Sequence, residues 1–561
     1  MKDIRLKYSI IGLIVLLIVV FQVSLAIAAE DDGYYYLDII QTNDIHGGIT
    51  KTGATFMNPE FPPPLGGGGS LVTYFNERRE FAKKNGAAFL LVDDGDWFSG
   101  TPIGTKTEGM AVMNFFNMAG YDAIVIGNHE FDKGYQALEK LIRTSKCPVL
   151  GANIIDKRTG KIASGLKPYI IKDYGFLKVG IIGIGLTATP TMALPEHMGY
   201  YDFLPEGEVL KKYVRIVRPQ CDILMVITHM FLPYDPMKGW DEVLERKAKG
   251  DSMVNGLAMY AADEIKGIDL MCTGHVHKGY YHPWEDPINH TIICQSYANG
   301  TGAGEILLKI DKKTKTIVDY KLPAESGTQI TMFEDEFPPD SAVADYIAKE
   351  QAIAEKGMDE PFGYTEVNLT RGSAAENTMG LLIVDAFRKY YNADFSFSNI
   401  GGIRAEIPAG EITPRQLFKV MPFGNHLVKF KIKGSTLKKI VETKLLSDRS
   451  DRGLLTSGAK IVYNKTRPKW DRITEFVIGG KPLNLNQYYN VITTDYLAEG
   501  NSGMDLLLTI PQKNKTYTYD LDIDVVEDYI RNNSPIRMKP DNRFKRDDSS
   551  QQANYLKNSI N

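Results

Sequence analysis

The sequence has few cysteines, no excess of basic residues and no apolar stretch at its C-terminus. Four cysteines in 561 residues are too few for a disulfide-rich scaffold, so we expect buried free thiols, with one disulfide left open as an alternative. The net charge of -4 disfavours a protein that coats nucleic-acid polymers electrostatically. Residues 545–561 form a polar tail, which excludes the hydrophobic signal of a lipid anchor.

One long apolar run does occur, at the N-terminus. Three basic residues precede it, it extends to about Val20, and Ala26-Ile27-Ala28 follows as a small-residue cleavage pattern. This order predicts a signal peptide over residues 1–28 and an exported protein, periplasmic or extracellular, with no stable membrane association once the signal is removed. The alternative is an uncleaved N-terminal membrane anchor, because the run nearly reaches transmembrane length.

Short apolar stretches alternate with helical ones along most of the remaining chain. Examples are "AAFLLVDDGD", "YDAIVIGNHE" and "CDILMVITH", and buried strands separated by helices predict a layered α/β fold. We predict a first domain over 34–332, an exposed linker helix within 333–360, and a second α/β domain over 361–544. The glycine run from Gly66 to Gly69 is interpreted as a flexible loop inside the first domain.

Polar clusters follow several of the predicted strands. Asp44 and His46, two residues apart on an extended segment, are expected to point the same way, as are His275 and His277. Carboxylate and imidazole groups suit zinc, manganese or iron. A lone histidine is usually a solvated residue, and we expect this of His197, His282, His290 and His426. Five such clusters each follow a predicted strand, and together they favour a metal site. They are Asp44/His46, Asp96, Asn128/His129/Glu130/Asp132, His229 and His275/His277.

The order D-x-H, GD, GNHE, H and GHxH resembles the calcineurin-like metallophosphoesterase superfamily. With "GNHEFD", "NIGGIR" and "PFGN", the chain resembles the bacterial 5′-nucleotidase family from about Leu37 to Leu508. That family includes UDP-sugar hydrolases and 2′,3′-cyclic nucleotide phosphodiesterases. The resemblance implies a four-layer αββα sandwich domain with two divalent metal ions, followed by a smaller α/β domain that carries the substrate pocket. It also implies that rotation of the two domains closes the site.

The resemblance also implies a role for each matching residue. His277 stands where some nucleotidases have Gln or Asn, and Glu130 receives no direct chemistry. Two divalent ions would bridge a hydroxide that attacks phosphorus without a covalent intermediate. The implied ligands are Asp44, His46 and His277 for one metal, Asn128, His229 and His275 for the other, and Asp96 for both, with His129 and Asp132 as a catalytic dyad that stabilises the transition state.

The second domain supplies candidate substrate contacts. Glycines in "NIGGIR" let the backbone approach a ligand, and a guanidinium matches phosphate. In the family two aromatic rings sandwich the nucleobase, and the matching residues here are Phe423 and Tyr496. The alternative is that both rings are core residues. Two departures from the family bear on substrate recognition. Ser502 stands where the family usually has a ribose-binding Asp. Many members also have an arginine just before the turn that corresponds to "NTMG", whereas the nearest arginine here is Arg371. The candidates are Asn399, Arg404, Phe423, Asn425 and Tyr496.

We therefore expect a nucleotide-hydrolysing phosphoesterase that releases phosphate from nucleoside monophosphates. The alternatives are a 2′,3′-cyclic phosphodiesterase or a UDP-sugar hydrolase. A sulfur-ester hydrolase on the same fold is disfavoured by the specificity motifs. A non-catalytic nucleotide-binding protein is disfavoured because every ligand and dyad position is filled. The sequence leaves the oligomeric state open.

Overall fold

The computed structural model describes residues 32–548 except 59, 194, 251–255, 324–326, 375, 447–453 and 499. The predicted signal peptide lies outside the described residues, as does the polar tail beyond residue 548. Among the described residues, no helix is both long and apolar enough to cross a membrane. The four cysteines are free thiols, as expected, but only Cys272 and Cys294 are buried, and Cys147 and Cys221 are partly exposed.

Two mixed sheets form the N-terminal half. Each sheet contains a run of parallel strands. Antiparallel strands lie at one edge of the first sheet and at both edges of the second. The first sheet has the order Ile317–Lys321, Gly302–Asp311, Tyr34–Thr42, Ala88–Asp93, Ala123–Val125, Val149–Leu150, with Gln329–Thr331 also beside Gly302–Asp311. The second has the order Trp284–Glu285, Ile292–Gln295, Leu270–Thr273, Ile223–Thr228, Lys178–Ile184, Tyr169–Asp173.

The two sheets pack face to face, and helices cover their outer faces. Residues such as Ile39 and Leu90 of the first sheet meet Ile181 and Met225 of the second in one buried cluster. Further clusters join each sheet to its own helices, which gives the predicted αββα sandwich. The helices are Gly67–Asn85, Pro102–Lys106, Met110–Ala119, Gly134–Thr144, Pro195–Met198, Glu206–Val217, Pro236–Ala248 and Ala258–Glu264. Shorter strands lie at the margins: Thr52–Gly53, Pro64–Leu65, Ile154–Asp156, Lys161–Ile162 and Tyr201–Phe203.

The glycine run is not a flexible loop, and that interpretation was wrong. The first helix begins at Gly67, and the glycines from Gly67 to Gly69 are buried in it. A Cβ on Gly68 would lie 2.8 Å from Ile347, and one on Gly69 would lie 2.7 Å from Pro339. The glycines are therefore needed for close packing against the segment that follows the first domain.

That following segment contains the predicted linker helix, Ser341–Ala354. The helix is less exposed than we expected, because Val343 and Ile347 are buried in the core that also contains Leu71 and Phe115. Asp340 caps its N-terminus by accepting a hydrogen bond from the Val343 N–H group, 3.0 Å long. The helix is thus fixed to the N-terminal sandwich.

The C-terminal half is built on a central mixed sheet. Its two faces pack into separate buried clusters, one of them with the helices Thr378–Tyr390 and Asp522–Asn533. The strand order is Leu455–Ser457, Phe395–Ser398, Tyr488–Thr494, His426–Lys433, Lys515–Leu521. Smaller sheets comprise Lys481–Pro482, Ile473–Ile478, Ala459–Tyr463 and Phe544–Arg546, and Gly363–Thr365 with Gly410–Ile412; the remaining helices are Pro414–Val420, Gly434–Thr443 and Asp495–Ala498.

Candidate active site

The polar clusters meet at one edge of the sandwich. They follow the carboxyl ends of parallel strands in both sheets, where α/β proteins usually place their ligands. The backbone there differs from our expectation of extended segments. Asp44, His46, Asp96, His275 and His277 all have positive φ, between 49° and 75°. Their side chains therefore converge through left-handed turns and not through strand alternation, and such conformations are held only where surrounding contacts enforce them.

Four side chains form a first set of groups that could bind a metal ion. One donor atom from each of Asp44, His46, Asp96 and His277 lies within 4.8 Å of the others. His46 Nε2 is 2.9 Å from His277 Nε2, and His277 Nε2 is 3.6 Å from Asp44 Oδ1. His46 Nδ1 donates a hydrogen bond to the Ser99 carbonyl, 2.6 Å away. This bond directs His46 Nε2 into the cluster.

A second set shares Asp96 with the first. Donor atoms of Asp96, His229 and His275 lie within 4.8 Å of one another, and His229 Nε2 is 2.9 Å from Asp96 Oδ2. His229 Nδ1 donates to the Asp94 carbonyl at 2.7 Å. Asn128 Oδ1 and His275 Nδ1 are buried without a hydrogen-bond partner. Buried polar atoms are nearly always satisfied, so these two atoms fit the ligand positions of a metal ion.

The protonation states also suit metal binding. Burial lowers the pKa of His46 well below its usual value, that of His275 to about 3 and that of His277 to about 4. These imidazoles are neutral, as ligands must be. Burial also acts to lower the pKa of His229, but the Asp96 carboxylate outweighs it and raises the pKa to about 9. A metal ion at this position would displace that proton.

The predicted dyad lies beside the two sets. His129 Nδ1 is 2.8 Å from Asp132 Oδ2, and the His129 N–H group donates to Asp96 Oδ1 at 2.8 Å. Burial acts to lower the pKa of His129, but the carboxylates of Asp132 and Asp96 outweigh it and raise the pKa to about 10. The contact at Nδ1 orients the imidazole through Asp132.

Sequence reasoning assigned no role to Glu130 and Asn43, whose hydrogen bonds fix the positions of Asp96 and Asp44. The buried Glu130 carboxylate accepts hydrogen bonds from the N–H groups of Gly127, Asp96 and Trp97, at 2.6, 3.1 and 2.6 Å. Asn43 Nδ2 donates to Asp44 Oδ2 at 2.6 Å. The "GNHE" motif includes Glu130, but only the fold shows that its carboxylate reaches the Asp96 turn.

The C-terminal half contributes two side chains to this region. The Phe423 ring lies 5.9 Å from the His129 ring, and the Arg404 guanidinium lies 5.8 Å from the Phe423 centroid. Arg371 Nη1 donates to the Arg404 carbonyl at 3.3 Å, so the two arginines are neighbours. The sequence placed Arg371 near the motif but did not indicate this pairing.

The other predicted contacts lie within the C-terminal half. The Asn425 amide donates to Asp522 Oδ2 at 3.0 Å, so it is engaged inside its own domain. Tyr496 is half-buried and its hydroxyl accepts a 3.3 Å hydrogen bond from Ser502. Asn399 precedes the turn Ile400–Gly402. Among the described residues, no hydrogen bond, ion pair or ring contact joins Asn425, Tyr496 or Asn399 to the groups that could bind a metal ion.

Each half of the chain matches a known protein family. The calcineurin-like phosphoesterase family matches residues 37–279, and the 5′-nucleotidase C-terminal domain family matches residues 358–509. A 5′-nucleotidase of Vibrio cholerae is 28% identical over 552 residues, covering 92% of this chain and 93% of that protein.

Solved structures with the same fold cover 91% and 93% of this chain. A 5′-nucleotidase precursor from Thermus thermophilus has a TM-score of 0.74 at 22% identity, covering 91% of this chain and 99% of that one. The sulfate thiohydrolase SoxB of the same genus has a TM-score of 0.69 at 18% identity, covering 93% and 98%. At identities this low, the likeness shows a shared fold.

The fold and the site together define a metal-dependent phosphoesterase, a phosphoric ester hydrolase with a calcineurin-like domain. The chain belongs to the 5′-nucleotidase family, in which that domain is joined to a C-terminal nucleotidase domain.

Proposed function

We propose that this protein is an exported 5′-nucleotidase that uses two divalent metal ions to hydrolyse nucleoside monophosphates. The observation that supports it best is the pair of donor sets that share Asp96. Asp44, His46 and His277 would hold one ion. Asn128, His229 and His275 would hold the other. Zinc and manganese both suit this mixture of imidazole, carboxylate and amide oxygen.

Bound ions would activate a water molecule and neutralise charge on the phosphoryl oxygens. The protein's own residues supply the remaining steps. His129, held by Asp132 at 2.8 Å, would donate a proton to the departing oxygen of the ester. General acid assistance of this type is typically worth ~10²–10⁴-fold in rate.

The C-terminal half would bind the nucleotide. Arg404 lies beside Phe423 and close to Arg371, an arrangement that suits bidentate recognition of phosphate. Phe423 and Tyr496 would stack on the base. Asn399 stays a proposed substrate contact, and Asn425 supports the loop of Phe423 through Asp522.

The proposed activity is tested by phosphate release from purified protein reloaded with manganese or zinc. We expect release from AMP, with slower turnover of 2′,3′-cyclic AMP and UDP-glucose. Faster cleavage of either alternative substrate would reassign the substrate to a cyclic phosphodiester or a nucleotide sugar. If no ester is cleaved with any metal, the proposal of an active nucleotidase fails and the binding-protein alternative is favoured.

Removal of metal should also lower stability. Ligands that bind only the native state stabilise it by about 2.7 kcal/mol at 100 times their Kd. We therefore expect chelator treatment to lower the melting temperature and excess Mn²⁺ or Zn²⁺ to restore it, measured by calorimetry. Mg²⁺, which prefers all-oxygen sites, serves as the control ion and should restore less. An unchanged melting temperature after verified metal removal would contradict the proposed centre.

The base-stacking role of Tyr496 is tested separately. Stacking of a base on an aromatic ring contributes ~1–3 kcal/mol, so Tyr496→Leu should raise KM for AMP about tenfold or more. The exposed ring of Tyr364 gives a matched control, and Tyr364→Leu should leave KM unchanged. Equal KM values for Tyr496→Leu and wild type would assign Tyr496 to the core.

Export is tested by N-terminal sequencing of the protein after expression in a bacterium. A mature chain that begins after Ala28 supports a cleaved signal peptide. A full-length chain in the membrane fraction supports the anchored alternative.

A further inference from the structure

The two halves of the chain meet at a stacked pair of rings. His129 comes from the turn His129–Phe131 of the N-terminal half, and Phe423 from the loop between Pro414–Val420 and His426–Lys433. Their centroids are 5.9 Å apart and their planes are inclined by 14°, within the range of offset aromatic stacking. A Cβ on the adjacent Gly424 would lie 3.8 Å from Lys133 Nζ, so this loop lies against the dyad segment at a second point.

The contacts of the His129 imidazole with Asp132 and His46 do not fix the tilt of its ring. Asp132 holds Nδ1 at 2.8 Å, and the His46 ring packs edge-on at 5.1 Å and 74°. A single hydrogen bond at Nδ1 still permits the ring to tilt about it. Phe423 lies nearly parallel to the imidazole and so limits that tilt, while no hydrogen bond of His129 Nε2 occurs within the described part of the chain.

We propose that Phe423 is a positioning residue for catalysis, which holds the His129 imidazole in its reactive orientation when the C-terminal half is docked. The proposal rests on the proposed function, because it assigns His129 a role at the departing oxygen. It adds a role to the base stacking proposed above, because a Phe423 ring that contacted only the nucleobase would not orient His129. Small misplacements of a reacting group can lower a rate by up to ~10²-fold, so a packing contact on the ring can matter for turnover.

A substrate without a base separates the two roles. With ribose 5-phosphate, Phe423→Leu should lower kcat about tenfold, and kcat for AMP should fall by a similar factor. Phe423→Tyr keeps the ring face and should restore kcat. If Phe423 only stacks on the base, ribose 5-phosphate turnover stays at the wild-type value and KM for AMP rises, which would overturn the proposal.

A double-mutant cycle tests whether the effect passes through His129. In a His129→Ala background, Phe423→Leu should cause no further loss of kcat, because the ring that it positions is gone. Independent, multiplicative losses would overturn the proposal. Tyr364→Leu, an exposed ring of the same half, is the control for general effects of removing an aromatic residue.

A spectroscopic measurement separates this inference from the question of activity. In histidine-labelled protein, the His129 ring resonances, assigned through His129→Ala, should move downfield in Phe423→Leu because the ring current of the phenyl group is lost. Unchanged resonances would show that the rings do not stack in solution and would overturn the proposal. This result holds even if no ester is hydrolysed, whereas a stack without hydrolysis would reject the proposed function alone.

Discussion

Replacing Asp96 with asparagine is expected to lower kcat for AMP by about 10³-fold, the loss typical when one main electrostatic group of an active site is removed. Asp96 Oδ2 lies 2.9 Å from His229 Nε2 and 3.8 Å from His46 Nε2, so one oxygen faces both donor sets. Asparagine keeps the shape but removes the charge. We expect fewer than two metal ions per chain by mass spectrometry, together with the loss of phosphate release.

The control for this variant is Asp122→Asn. Asp122 accepts a hydrogen bond from Leu91 N–H at 2.9 Å and pairs with Lys172. It lies at the amino end of the strand Ala123–Val125, whereas Asn128 lies beyond the carboxyl end. Its replacement should leave kcat and metal content unchanged. If Asp96→Asn retained full metal content and activity within tenfold of wild type, Asp96 would not be a shared ligand.

The gathering of the predicted ligand residues at one edge of the sandwich could be predicted from the sequence, because the signals of strand ends are local. A polar cluster after an apolar strand marks a strand end, and parallel strands bring their carboxyl ends to the same edge. The backbone conformation through which these side chains converge could not be predicted from the sequence. Asp44 and His275 adopt positive φ, which short motifs of Asp and His do not reveal because the surrounding packing enforces it.

Contacts between distant segments were also beyond sequence reasoning. The helix that includes Gly68 depends on Ile347, which lies far along the chain. The stack of Phe423 on His129 joins two domains, and a motif identified within each domain says nothing about their contact. The αββα layers were predictable from strand periodicity and family resemblance, but these long-range contacts depend on tertiary packing.

Glu130 is expected to matter for stability as well as activity. Its carboxylate accepts three backbone N–H groups, from Gly127, Asp96 and Trp97. Each hydrogen bond to a charged group contributes ~1.5–3 kcal/mol, and an unsatisfied buried donor costs a similar amount. Glu130→Gln replaces one acceptor oxygen by an NH₂ group that faces donors, so we expect the free energy of unfolding to fall by about 3 kcal/mol.

The loss of activity in Glu130→Gln should exceed what unfolding alone explains. Glu130 joins the turn of Asp96 to the loop of Asn128, and these residues belong to different strand ends. If the two segments separate, the donor sets lose the distances that the proposed binding of two ions requires, so kcat for AMP should fall at temperatures where the variant is still folded by circular dichroism. Glu108→Gln, on an exposed residue, is the control. A variant with wild-type stability and kcat would show that the three hydrogen bonds of Glu130 are dispensable for the site.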